Sequence, residues 1–179
     1  MADKNLFFIA LIPPEPIKSE VMAFKKEMEE KFDSKAALRS PPHITLHMPF
    51  QWREDREGLL KDKLGEFRFN GFPIDLQLKN FDFFEPRVVF VDVLVTTLLS
   101  RLQKELVMFI RQELSIFNAN YKDKPFRPHI TIGFRDLKKA IFPEAKKYFS
   151  ERKYSATFSI NGICLLKHNG KTWDESYYF

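Results

Sequence analysis

The sequence predicts one domain of two similar lobes, each mixing strands and helices, and three observations predict it. Apolar runs of strand length alternate with amphipathic stretches of helical period along the 179 residues. One order of elements occurs twice: apolar strand, amphipathic helix, short strand, charged helix, alternating strand. Matching elements lie roughly 81 to 86 residues apart. A short motif also recurs, Pro42-His43-Ile44-Thr45-Leu46 being echoed by Pro128-His129-Ile130-Thr131-Ile132 with the histidines 86 residues apart. Pro86-Arg87 is too short a connection to let the halves move freely. Residues 1–179 are therefore expected to form a single bilobal domain, with an internal repeat over approximately 5–82 and 87–166 and a pseudo-twofold axis between the lobes.

The elements follow in order. Leu6 to Ile12 is a compact apolar run stopped by Pro13-Pro14, as a buried strand would be. From Pro16 to Phe32, apolar Ile17, Val21, Phe24, Met28 and Phe32 recur every three or four positions among Lys and Glu, which predicts an amphipathic helix. A polar connection, Asp33 to Arg39, leads into the first motif. Arg53 to Phe67 reads as a second, more solvated helix, and Gly71-Phe72-Pro73 breaks it. Ile74, Leu76 and Leu78 then alternate with polar residues in a half-buried strand, and Phe81 to Pro86 forms a loop or strand end.

The second half repeats this. Val88 to Val95 is an apolar strand, Leu98 to Leu114 an amphipathic helix, and Asn118 to Lys124 a polar connection into the second motif. A charged helix over Asp136–Phe149 and an alternating strand over Ser155–Leu165 complete the repeat. Trp173 to Phe179 adds an edge strand after a turn at His168-Asn169-Gly170-Lys171, where Asn-Gly is the turn signal.

Composition bounds the chemistry. The chain has 20 Phe against 6 Gly, which predicts a Phe-rich core, and its net charge of +5 suits an anionic ligand. Its single cysteine, Cys164, rules out an intramolecular disulfide and a cysteine-based zinc site, and reads as a small core residue. Phe7 to Leu11 is too short to span a membrane and no signal-peptide pattern precedes it, so a cytoplasmic location without membrane association is expected.

In each motif strand, side chains alternate between faces, so His43 and Thr45 turn one way while Ile44 and Leu46 turn the other. His129 and Thr131 oppose Ile130 and Ile132 in the same manner. Two such strands facing one cleft supply two imidazoles and two hydroxyls. One neutral imidazole accepts a proton from water attacking phosphorus, and the opposite imidazolium protonates the leaving ribose oxygen. The hydroxyls donate to the non-bridging oxygens where charge builds. A single His-x-Thr strand is weak evidence, because strand histidines are commonly structural; two copies in matching places of a repeat are not.

On these residues the chain resembles the 2H phosphoesterase superfamily, and within it the bacterial 2′-5′ RNA ligase-like branch, also described as RNA 2′,3′-cyclic phosphodiesterases. The likeness rests on Phe7-Phe8-Ile9-Ala10-Leu11, the first motif, and Arg127-Pro128-His129-Ile130-Thr131-Ile132, and runs through nearly the whole chain. It implies an α+β, bilobal fold with antiparallel sheets lining a central cleft and helices outside. It further implies metal-independent chemistry at 2′,3′-cyclic or 2′-5′ phosphodiester linkages. A monomer without a cofactor, acting on RNA 3′ ends or small cyclic phosphate nucleotides, is expected. His43, Thr45, His129 and Thr131 match the catalytic tetrad. By analogy, His129 is the base toward water and His43 the acid.

Other candidates are weaker. Arg127 and Arg135 are candidate phosphate ligands; strict alternation puts both on the His129 face unless a bulge shifts Arg135. Phe50 and Phe8 are candidates to contact a base, with Trp52, Phe7 and Phe84 as lesser ones. His47 shares the parity of His43, but Gly133 stands in its place in the second motif, so it is expected to support the site at most. His168 is expected to be an exposed turn residue. Cleavage or ligation of 2′-5′ linkages, and a nucleotide- or RNA-binding module without turnover, are the alternative functions.

Overall fold

The computed structural model describes residues 3–119 and 125–179. Of the connection expected over Asn118–Lys124, residues 120–124 lie outside the described residues. The chain runs β1 (Lys4–Leu11), α1 (Ile17–Phe32), β2 (Ile44–Arg53), α2 (Glu57–Leu64), β3 (Ile74–Phe84), β4 (Val88–Val93), α3 (Thr97–Leu114), β5 (His129–Gly133), α4 (Phe142–Ser150), β6 (Ser155–Ile160), β7 (Cys164–His168) and β8 (Trp173–Tyr178). Two four-stranded sheets result, in the orders β2-β1-β7-β8 and β5-β4-β3-β6. Every pairing in both is antiparallel. The fold is α+β, and each motif strand lies at the edge of its sheet.

The apolar periods explain the layering. Ile17, Val21, Phe24, Met28 and Phe32 are the buried stripe of α1, and Leu99, Leu102, Leu106, Ile110 and Leu114 that of α3. Thr96 caps α3 by accepting from the Leu99 N–H at 3.1 Å. α1 ends at Asp33 in the left-handed region (φ 52°), with terminal N–H groups bonded back to Glu29 and Met28. One continuous core spans the inner faces of both sheets, from Phe7, Ile9 and Leu46 to Val89, Val91, Ile130 and Ile132. The helices cross over: α1 packs against β5 and α3 against β2.

Three expectations need correction. The strand expected over Ser155–Leu165 is two strands broken at residues 161–163. Ser155–Ile160 alternates in exposure, but Ile163 to Leu166 is buried on both faces, because β7 leaves for the other sheet and inserts beside β1. For the same reason the sheets do not follow the 5–82 and 87–166 halves: β3 joins the second sheet, and β7 and β8 complete the first. The charged helix expected from Asp136 starts only at Phe142, since Asp136 and its neighbours form turns.

Candidate active site

The two motif strands place their histidines in matching environments. Each imidazole bonds through Nδ1 to the carbonyl two residues earlier, His43 to Pro41 at 2.7 Å and His129 to Arg127 at 2.8 Å. A carbonyl only accepts, so Nδ1 carries the hydrogen and the lone pair of the neutral ring sits on Nε2. Neither Nε2 has a protein partner among the described residues. Each ring also rests on a phenylalanine of the neighbouring strand. Phe8 lies 4.8 Å from His43 and Phe90 5.0 Å from His129, centroid to centroid. Thr45 and Thr131 are half-buried on the same faces, while Ile44, Leu46, Ile130 and Ile132 are in the core.

The charges around the two rings differ. Burial, then the positive charge of Lys25, holds His43 well below the usual imidazole range, with a smaller contribution from His129. Burial also lowers His129; Arg127 pushes the same way, and the Asp92 carboxylate opposes it. Asp92 is raised by its own burial. β2 and β5 pack against each other, which brings the two motif strands together.

A cavity of about 210 Å³ opens beside His43 and Thr45, lined also by Phe8, Arg39, Ser40, Arg135, His168 and Trp173. His129 and Thr131 do not line it; they stand across the approach of β2 to β5. Arg135 reaches the cavity by another route than alternation. β5 carries a bulge, with Thr131 opposite Phe90 but Gly133 opposite Val89, so Gly133 turns inward and the following turn, with Arg135 at φ 54°, swings the guanidinium to the wall. Arg127 is ion-paired to Asp82 and lies over Phe84 and Phe90, beside His129 rather than in the cavity.

Phe50, a candidate to contact a base, lies in the core instead, on the face that alternation gives it with Ile44 and Leu46. β2 bulges twice against β1, with Thr45 opposite Ala10, His47 opposite Ile9 and Phe50 opposite Phe7. The shifts turn His47 to the core face that Ile44, Leu46 and Phe50 share, where Phe50 stacks on Phe7 at 6.1 Å and His47 meets the Phe50 edge at 5.4 Å. Phe8, by contrast, is at the cavity. His168 is half-buried at the end of β7 and packs on Trp173 at 4.9 Å. Trp173 in turn meets Phe8 at 4.7 Å. Neither was legible from local sequence, because β7 reaches the cavity only through its pairing with β1. Phe90 was legible: it holds in β4 the place that Phe8 holds in β1. Among the described residues, no group of three or more His, Cys, Asp or Glu side chains is arranged to hold a metal ion.

The chain matches the 2′-5′ RNA ligase superfamily over residues 13–172. A Geobacillus kaustophilus protein named "Putative phosphoesterase" is 30% identical over 141 residues, covering 76% of this chain and 72% of its own. A protein of the same name from Geobacillus thermodenitrificans is 30% identical over 138 residues, with the same coverage. Among solved structures, E. coli LigT complexed with 3′-AMP superposes with a TM-score of 0.65 at 18% identity, over 99% of this chain and 98% of that one. TT0787 of Thermus thermophilus superposes at 0.61 with 20% identity, over 97% and 96%.

Proposed function

Because this chain belongs to the 2′-5′ RNA ligase superfamily, we propose that it is a phosphodiesterase that opens 2′,3′-cyclic phosphates on RNA ends or small nucleotides. The observation that carries the reading is the matched pair of imidazoles, each tied by Nδ1 to its own backbone and each with Nε2 unpartnered. A ring so held exchanges protons only at Nε2, which is what general acid–base work at one point requires. One Nε2 takes the proton from water as its oxygen bonds to phosphorus. The other gives a proton to the ribose 2′ or 3′ oxygen as the P–O bond breaks, leaving a phosphomonoester. Thr45 and Thr131, with no hydroxyl partner among the described residues, donate to the non-bridging oxygens. Arg135 on the cavity wall neutralises phosphate, and Phe8 floors the site.

Nucleotide-sized substrates are supported by the structural neighbour solved with 3′-AMP. The superfamily's description favours a second reading by the same groups, in which a ribose hydroxyl replaces water and a 2′-5′ linkage is made or broken. The test is incubation with nucleoside 2′,3′-cyclic phosphates and a short RNA ending in one, in EDTA, with products separated as 2′- or 3′-phosphates. Turnover that falls by about 10²–10⁴-fold in each of His43→Ala and His129→Ala is expected. Turnover that survives either substitution would rule out the two-histidine mechanism.

A further inference from the structure

The cavity beside His43 has one wall that the two-histidine chemistry does not use. It is the tip of the β7–β8 hairpin, where His168 and Trp173 are a cross-strand pair. From the motif strand outward the rings follow one another across the first sheet. His43 lies 4.8 Å from Phe8, Phe8 4.7 Å from Trp173, and Trp173 4.9 Å from His168. The two contacts of the indole are tilted, at 75° and 62°, so neither neighbour lies flat on it, and it stays half-buried at the cavity. A ring left uncovered in this way is a surface on which a flat heterocycle stacks.

His168 differs from the motif histidines in its tautomer. Its Nδ1 accepts from the Gly170 N–H at 3.3 Å, whereas Nδ1 of His43 and of His129 donates to a carbonyl. The hydrogen of the neutral His168 ring is therefore on Nε2, which has no partner among the described residues. The motif histidines leave a lone pair unpartnered; His168 leaves an N–H. One side chain ties down the turn that sets this. Asn169 Oδ1 accepts from the N–H groups of Lys171 and Thr172 at 2.9 and 2.8 Å, and its Nδ2 donates to Thr172 Oγ1 and Asp174 Oδ2 at 2.8 Å each. The pair is held in place before any ligand arrives, which lowers the cost of binding one.

The second lobe supplies the contrast. Phe90 stands to His129 as Phe8 stands to His43. The next ring there, Phe84, is covered by the Arg127 guanidinium at 5.1 Å, and Arg127 is itself ion-paired to Asp82. Farther across that sheet the exposed residues of β3 and β6 are polar, Gln77 opposite Thr157 and Asp75 opposite Ser159. The cleft, nearly symmetric in its histidines, is one-sided in what it offers a base.

We propose that Trp173 and His168 form the nucleobase subsite of the cleft. The base of the nucleotide bearing the cyclic phosphate stacks on the Trp173 indole and accepts a hydrogen bond from His168 Nε2 at a ring nitrogen or carbonyl oxygen. The identity of the bond broken rests on the phosphodiesterase reading; the holding of a base does not. No carboxylate side chain lines the cavity among the described residues, so its wall suits the acceptors of a base and the oxygens of a phosphate together. Every base has a face to stack, so the subsite demands a base without choosing sharply among the four. The substrates it selects are nucleoside cyclic phosphates over those of simple polyols.

Two measurements test this. The first is kcat and KM on a nucleoside 2′,3′-cyclic phosphate and on base-free glycerol 1,2-cyclic phosphate, for wild type, Trp173→Ala, Trp173→Phe and His168→Phe. Trp173→Ala raises KM for the nucleoside substrate by about 5- to 150-fold with kcat unchanged. Trp173→Phe recovers most of that loss. His168→Phe, which keeps a ring and removes the donor, raises KM by about 2- to 10-fold. None of the three changes kcat/KM on the glycerol substrate. Equal losses on both substrates, or a fall in kcat alone, overturn the subsite. The second measurement needs neither turnover nor a variant at position 173. The chain has two tryptophans, and Trp52→Phe leaves Trp173 as the single indole. Its fluorescence is quenched saturably by a nucleoside 3′-monophosphate and not by glycerol phosphate. Nucleotide binding seen by calorimetry without quenching, or no nucleotide binding at all, sinks the proposal. Quenching without turnover of any cyclic phosphate counts against the phosphodiesterase reading and leaves the base subsite standing. Turnover indifferent to Trp173→Ala does the reverse.

Discussion

Asp136 shows how much one side chain outside the motifs contributes to the cleft. Its Oδ1 accepts from the buried Ser34 hydroxyl at 2.9 Å, and its Oδ2 from the backbone N–H groups of Lys35 and Ala36 at 2.9 Å each. It therefore bolts the turn bearing Arg135 to the segment bearing Arg39 and Ser40, joining walls that come from opposite halves of the chain. Asp136→Ala removes three charge-assisted hydrogen bonds, and we expect a loss of about 2 kcal/mol in urea unfolding, with Asp136→Asn losing less. A change below about 0.5 kcal/mol would show that the clamp adds nothing to stability. At this scale His43, Thr45, His129 and Thr131 were legible in the sequence, because two-residue alternation is a local property. Asp136 was not, since its partners lie about 100 positions away. His47 was misread because alternation fails silently at a bulge, whereas alternation alone puts Phe50 with Ile44 and Leu46 in the core.

β5 illustrates the same point for a whole element. Its five residues carry the second motif, and the bulge at their end turns Gly133 against α1, where an added Cβ would stand 2.4 Å from the Met28 methyl. The absence of a side chain lets the strand lie close over the helix. Gly133→Ala is expected to destabilise by about 1–3 kcal/mol, and Met28→Ala, which vacates that space, should make the second substitution cheaper. Strictly additive losses in a double-mutant cycle followed by thermal unfolding would contradict the contact. Helices were read well from period, α1 and α3 to within a residue of their bounds, because each has an uninterrupted apolar stripe. α4 was read too long because charge and spacing over Asp136–Ile141 suit a turn anchored by tertiary bonds as well as a helix. The split between β6 and β7 escaped because which sheet a strand joins is decided by pairing, not by its own sequence.

For the whole molecule, buried titratable groups set the pH response. Lys25 has a folded value of about 7 against an unfolded value of about 10.4, so between these limits the unfolded chain binds more protons and stability rises with pH. Cys164, whose burial raises its thiol to about 11, acts oppositely above about 8.5. His43, His47 and His129 are all lowered, so stability falls as pH drops below about 6.5. Comparing wild type with Lys25→Met cancels every contribution but the lysine's. The stability difference should shift in favour of wild type by about 3 kcal/mol between pH 7 and 9.5 in chemical denaturation. Parallel curves would mean the ammonium is not held down by burial. The order β2-β1-β7-β8 bears on something else, the timing of assembly. A ribosome delivers β3 to β6, the entire second sheet, before any residue of β7 exists. Until then β1 keeps one bare edge, and Phe7 waits for Lys167. His168 and Trp173 arrive with β7 and β8, so the cavity receives its far wall only after the second sheet is made, and a nascent chain carries both motif histidines well before it has a finished place to use them.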